Sequence, residues 1–173
     1  LKDKSKENPA SASRGIDKIA EILSFILYDF NTNKISIERE IRLLRNYIEL
    51  QELNTKNRLE IKFFSIFLST RAFIAPMLFF MLAEYVFSSL EGNNNKVSIK
   101  FRIESNLKDI DFWISAKDLP AFIENFNTEP SIKNLKRRLQ MLYGKDHLLE
   151  AKQIGDEYSL HMNILNNANL DHN

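Results

Sequence analysis

The chain has 173 residues, 44% of them apolar, and a formal net charge of +1 at pH 7. That length makes one domain, or one domain with a helical extension, and a balanced charge gives neither the basic footprint of a nucleic-acid binder nor a pull toward a strongly acidic partner. The absence of cysteine excludes disulfides, thiolate zinc sites and cysteine nucleophiles, and fits a reducing compartment.

The first fifteen residues, "LKDKSKENPASASRG", are polar and lack the apolar stretch of a signal peptide. Residues 14–30 carry apolar side chains at Ile16, Ile19, Ala20, Leu23, Ile26, Leu27 and Phe30. This spacing predicts a helix with that stripe toward the core. Ile22 and Phe25 form a second strip, expected to be exposed in an isolated monomer and to seek a partner there. After the turn "NTNK", Ser36 is placed to cap a helix over about 37–54, with Ile37, Ile41, Leu44 and Ile48 on one face.

"LEIKFFSIF" at 59–67 begins with strand-like alternation. "AFIAPMLFFMLAEYVFSSL" at 72–90 is long enough for a thin bilayer, but Glu84 sits well inside it and Pro76 near its start. A membrane carboxylate costs about 2.5–3.5 kcal/mol on insertion scales, so a buried helix from about Ala75 to Leu90, with Pro76 in its first turn, is the reading. "KVSIKFRI" and "DIDFWIS" alternate as a hairpin, and 116–130 reads as irregular. "SIKNLKRRLQMLYG" predicts a helix with Ile132, Leu135, Leu139 and Leu142 inward and Gly144 at its end. A last hairpin turns at "GDE", and the tail "NNANLDHN" is expected to fray. The order gives an α+β two-layer sandwich: a mixed, mostly antiparallel sheet with helices on one face, preceded by an N-terminal helix.

Little in these elements is chemically specific. Four glycines leave scant material for a phosphate-cradling loop, and no Walker A, G-x-G-x-x-G or G-x-S-x-G occurs. His147, His161 and His172 are scattered without metal-ligand spacing. "KNLKRR" at 133–138 reads as the solvated face of its helix, and Trp113 as a sheet residue.

A resemblance goes further. "ILSFILYDFNTNKISIEREIRLLRNYIELQELNTKNRLEIKF" is similar to the segment after the phosphoacceptor helix of LytS/YehU-type sensor histidine kinases. The echoes are Leu23, Leu27, Tyr28, Ile37, Glu40, Ile41, Tyr47, Ile48, Leu50 and Gln51. "IAPMLFFMLAEYVFSSL" resembles that family's "I-P-P-x-L-L-Q-x-L-V-E-N-A-x-K-H-G", and "SIKNLKRRLQMLYGKDHLLEA" its "G-I-G-L-x-N-x-x-R-R-L-x-x-L-Y" helix with the strand that follows. The three pieces are collinear over about residues 14–165. The resemblance implies the histidine kinase-like ATPase fold, with residues 1–33 as a remnant of the dimerisation bundle, 34–165 as the domain and 166–173 as tail. It implies ATP and magnesium as the family's cofactors.

The departures from the family pattern are the reason to expect neither cofactor here. Glu84 falls on the family's glutamate, but the metal-binding asparagine after it is Tyr85. The family's lysine and histidine become Ser88 and Ser89. The adenine-binding acid falls near Ala116, with Asp118 out of register. The glycine-rich loop becomes "NTEPSI", where Glu129 and Ser131 replace glycines and Pro130 removes an N–H. The "P-H-F-L-F-N" phosphoacceptor motif would lie upstream of residue 1. The resemblance therefore implies a degenerate sensor kinase domain with Glu84 as a vestigial acid, no confident catalytic residue and no metal. Such a module signals by contact with its own copy through residues 14–30, with a response regulator or with a partner kinase, and makes no contact with nucleic acid or membrane. It implies a cytoplasmic location, as part of a membrane-anchored sensor. The alternatives are a divergent but active ATP-dependent histidine kinase and an unrelated α+β interaction module.

Overall fold

A computed structural model of the chain describes residues 9–29, 32–55, 58–67, 72–90, 95–106, 108–117, 119 and 121–165. The tail at 166–173, His172, Phe30 and Asp118 lie outside the described residues. The elements in chain order are α1 (Pro9–Tyr28), β1 (Ile35–Ser36), α2 (Ile37–Asn54), β2 (Leu59–Phe67), β3 (Phe73–Ile74), α3 (Leu78–Ser88), β4 (Val97–Ser105), β5 (Asp109–Lys117), α4 (Ala121–Glu124), α5 (Pro130–Tyr143), β6 (His147–Ile154) and β7 (Glu157–Leu165).

Five strands form one sheet in the order β2-β4-β5-β7-β6. β2 runs parallel to β4, and every other neighbour is antiparallel. Alternation decides which side is which. Ile99, Phe101, Ile103, Phe112, Ile114, Leu160 and Met162 point to one face and are buried. Lys100, Arg102, Trp113 and His161 point to the other, which carries a polar row rather than helices. Against the buried face lies α3, whose Leu78, Phe79, Leu82 and Val86 are fully buried. Phe79 and Phe101 both meet Phe112, with ring centroids 4.5 and 6.3 Å apart. The α+β sandwich with helices on one face is the observed architecture.

Several expectations need correction. α3 is 11 residues and begins after Pro76, not at Ala75; at about 1.5 Å per residue it spans roughly 17 Å, little more than half a bilayer core. No helix among the described residues is long and apolar enough to cross a membrane. The segment 116–130 contains the short helix α4, and β1 and β3 pair as a two-residue antiparallel ribbon that alternation over so few residues does not announce. Ser36 occupies the N-cap of α2 but makes no side-chain capping bond. Leu142 is 49% exposed rather than inward.

The largest correction concerns α1. Ile22 and Phe25, expected to be exposed, are buried, while Ile16, Leu23 and Leu27 of the expected core-facing side are 53–71% exposed, with Tyr28 beside them at 74%. The reason lies in the charges beside the narrow strip. Lys18 donates to Asn46 Oδ1 at 2.9 Å and pairs with Glu49 at 3.0 Å. Asn46 also bonds Glu21, and buried Asp29 pairs with Arg39 at 2.8 Å. These partners all sit on α2, so α1 packs through the strip its charges flank and leaves the broader apolar face outward.

Candidate functional site

Glu84 and Tyr85 are neighbours on α3, and about 100° of helical rotation per residue sends them to different sides. Glu84 is half-buried. It lines an open cleft of about 390 Å³ with Tyr47, Gln51, Arg58, Ser88 and Val97, between the end of α2, the start of β2 and the end of α3. Tyr85 turns inward and is 1% exposed. Its ring meets Phe126 at 6.1 Å, nearly edge-on, and Lys136 Nζ lies 4.7 Å from the centroid of the Phe126 ring. Burial pushes the Tyr85 phenol above its ordinary range; its hydrogen bond with Ser89 acts the other way, and the charge of Glu129 adds to the rise.

Ser88 and Ser89 both donate their hydroxyls to the Tyr85 carbonyl at 2.8 Å. Glu129 is the N-cap residue of α5, without a side-chain capping bond, followed by Pro130 in the first turn and half-buried Ser131. Ala116 is buried on β5 between Ile99 and Tyr158 of the flanking strands. The fold thus gathers Tyr85, Ser89, Phe126 and Glu129 on the inner side of α3. It places Glu84 and Ser88 on the cleft side and seats Ala116 in the sheet.

Sequence reasoning missed the most constrained polar group nearby. Glu40 of α2 is fully buried. Its Oε2 accepts the Met77 N–H at 2.7 Å and its Oε1 the Phe79 N–H at 2.9 Å. It therefore caps α3 from another helix, holding amides that a helix start leaves without intrahelical partners. Met77 stands at φ 68°, in the left-handed region, a conformation that costs a residue with a Cβ about 1–3 kcal/mol and persists where surroundings over-determine it. Burial raises the Glu40 carboxyl to about 7, against the pull of the Met77, Phe79 and Phe80 amides and of Arg138. Arg138 donates to the Pro76 carbonyl at 3.0 Å, and the Tyr143 hydroxyl accepts the Ala75 N–H at 2.8 Å. "KNLKRR", read as solvated, therefore turns one arginine into the structure. The available signal was a lone acid within the otherwise apolar run Ile37, Ile41, Leu44.

His161 lies on the open face of the sheet, stacked on Trp113 at 4.8 Å and bonded to Asp111 at 2.7 Å. Among the described residues no group of three histidine or acidic side chains is placed to hold a metal. Ser88 and Ser89 bring no charge to either side of α3; the basic groups nearby come from other elements, Arg58 on the cleft wall and Lys136 at the Phe126 ring. The arrangement supports packing and backbone capping more readily than phosphate chemistry.

The sequence profile described as Histidine kinase matches residues 1–59, about a third of the chain. A search of curated proteins gave no match. Among solved structures, the catalytic domain of histidine kinase ThkA is similar at a TM-score of 0.56 and 10% identity, covering 77% of this chain and 95% of that one. Histidine kinase AdeS of Acinetobacter baumannii is similar at 0.56 and 8%, covering 88% and 77%. A ThkA structure in complex with the response regulator TrrA is similar at 0.54 and 10%, covering 87% and 48%. At these identities the likeness carries the fold of a histidine kinase catalytic domain and none of its chemistry.

Proposed function

We propose that this chain is a degenerate ATP-binding domain of a LytS/YehU-type sensor histidine kinase, acting in a two-component system by protein contact without nucleotide turnover. The observation that carries the reading is Tyr85. A phenol ring packed on Phe126 fills the position where the resemblance places a magnesium-binding asparagine. A phenol is a poor ligand for a hard cation that selects carboxylate and amide oxygens. Ser88 and Ser89, spent on the Tyr85 carbonyl, supply no charge for phosphate. Glu129 would repel it, and buried Ala116 has no acceptor for an adenine amino group.

In this reading residues 1–33 are the remnant of a dimerisation bundle, 34–165 the domain and 166–173 a tail. The apolar face of α1, Ile16, Leu23, Leu27 and Tyr28, is where a second copy docks. A response regulator is a further partner, since the similar kinase ThkA is found in complex with one. The chain works in the cytoplasmic part of a membrane-anchored sensor. The open cleft beside Glu84 favours a second reading, a divergent active kinase with a rebuilt site.

A thermal-shift titration separates the two. A ligand bound at about 100 μM and supplied at 5 mM stabilises by about 2.3 kcal/mol, which raises the Tm of a domain this size by roughly 5–9 °C. The degenerate domain shows no shift with MgATP; the active kinase shows one. For the dimer, Leu27→Lys should move sedimenting dimer toward monomer at high micromolar concentration while changing monomer stability by about 0.5 kcal/mol or less.

A further inference from the structure

The start of α3 is held by three side chains from two helices. Glu40 of α2 takes the Met77 and Phe79 amides, Arg138 of α5 donates to the Pro76 carbonyl, and Tyr143 of α5 accepts the Ala75 amide. Four of the five residues from Ala75 to Phe79, with Met77 in the left-handed region, are thus fixed by side chains of other helices. The ionised Glu40 can satisfy two N–H donors because a carboxylate only accepts. The neutral acid cannot do so equally. One oxygen then bears a proton and becomes a hydroxyl, a weaker acceptor whose O–H needs a partner of its own, so the amide facing it is held less well.

We propose that Glu40 is a proton-operated clamp on the entry to α3. Ionised, it locks to α2 the helix that carries Glu84 and Tyr85; protonated, it holds one of the two amides less well and loosens the helix start. The step is a simple proton gain: water or buffer gives H⁺ to one carboxylate oxygen, that oxygen becomes a hydroxyl and a weaker acceptor, and the bond from either the Met77 or the Phe79 N–H is weakened. The charged and titratable groups facing Glu40 are Arg138 and Tyr143, both on α5. Arg138 favours the ionised clamp. Burial lifts the Tyr143 phenol above its ordinary range and the Glu40 charge lifts it further, so Tyr143 stays neutral where Glu40 titrates. Glu40 is therefore the group that changes state, and burial places that change at about 7, where modest shifts in conditions move it.

Two consequences run in opposite directions. Locally, the clamp is complete above about pH 7. Globally, a carboxyl whose folded pKa exceeds its unfolded one holds more protons in the folded state. The stability it contributes is therefore present below the unfolded value and is lost as pH rises through about 7. A residue that merely filled space would show neither trend. This inference goes beyond the proposed function and holds whether or not the domain binds nucleotide.

The test is an NMR titration of the intact chain from pH 4 to 9, following the Glu40 side-chain carboxyl carbon and the Met77 and Phe79 amides. The carboxyl should titrate near 7, and at least one of the two amides should shift and exchange faster on protonation with the same midpoint. A carboxyl midpoint at or below the ordinary glutamate value, or amides that stay flat through it, overturns the clamp. In the folding equilibrium measured by urea unfolding, wild type should lose stability between pH 5 and 8 by a factor on the order of tens, and Glu40→Gln should flatten that slope. An unchanged slope in the variant overturns the proposal, and if the variant does not fold, the wild-type titration decides.

Discussion

The two sides of α3 differ in what they offer a ligand. On the outer side there is space: a cleft of about 390 Å³ with Glu84, Ser88 and Arg58 on its wall. On the inner side there is no space: Tyr85 and Phe126 pack in contact, and both are nearly inaccessible. An open cleft on one side and a packed ring on the other are separate features, and changing one leaves the other as it is. Leu78, Phe79, Leu82 and Val86 hold α3 to the sheet, and Tyr85 joins the same buried core.

This contrast is open to attack by substitution. The largest effect should come from the inner side. Tyr85→Ala empties a fully buried aromatic site, and losses of this kind run about 3–5 kcal/mol; urea unfolding that gave less than about 1 kcal/mol would mean the ring is dispensable and the inner side not truly closed. An intermediate effect is expected at the entry to the helix. Tyr143→Phe leaves the Ala75 N–H without its acceptor, a loss of about 1–3 kcal/mol for a buried donor, visible as faster exchange of that amide. The smallest effect belongs to the outer side. Glu84→Ala changes a half-buried cleft residue and should cost about 0–1 kcal/mol, the range of exposed polar pairs. A larger loss would make Glu84 a structural anchor rather than a leftover acid.

The sequence made the sheet and the long helices legible and left their orientations hidden. Alternation in "KVSIKFRI" and "DIDFWIS" fixed strands and buried face together, because a period of two allows only two faces. A helix allows more. In α1 the broad apolar side looked like the core side, yet Lys18, Glu21 and Asp29 found their partners on α2 and turned the narrow strip inward. That choice depends on Asn46, Glu49 and Arg39, which are distant in sequence. The N-terminal limit of α3 was misplaced for a similar reason. Nothing local at Met77 signals a left-handed entry; it is imposed by Glu40, 37 residues earlier. The acid and tyrosine at 84 and 85 were legible as neighbours in a motif, while the cleft beside one and the packed ring of the other needed the assembled fold.

The most direct test of the central claim is calorimetry of the intact chain with MgATP at millimolar concentration, beside the Tyr85→Asn variant. Loss of the adenine acid alone removes a charged hydrogen bond of roughly 1.5–3 kcal/mol, and each 1.4 kcal/mol is about tenfold in affinity. Two such losses take a micromolar ligand to about millimolar. The account expects no saturable heat for wild type, and none for Tyr85→Asn, since Ala116, Ser88 and Glu129 remain. Saturable binding tighter than about 100 μM by the wild-type chain would contradict it and mark the domain as a working ATP site.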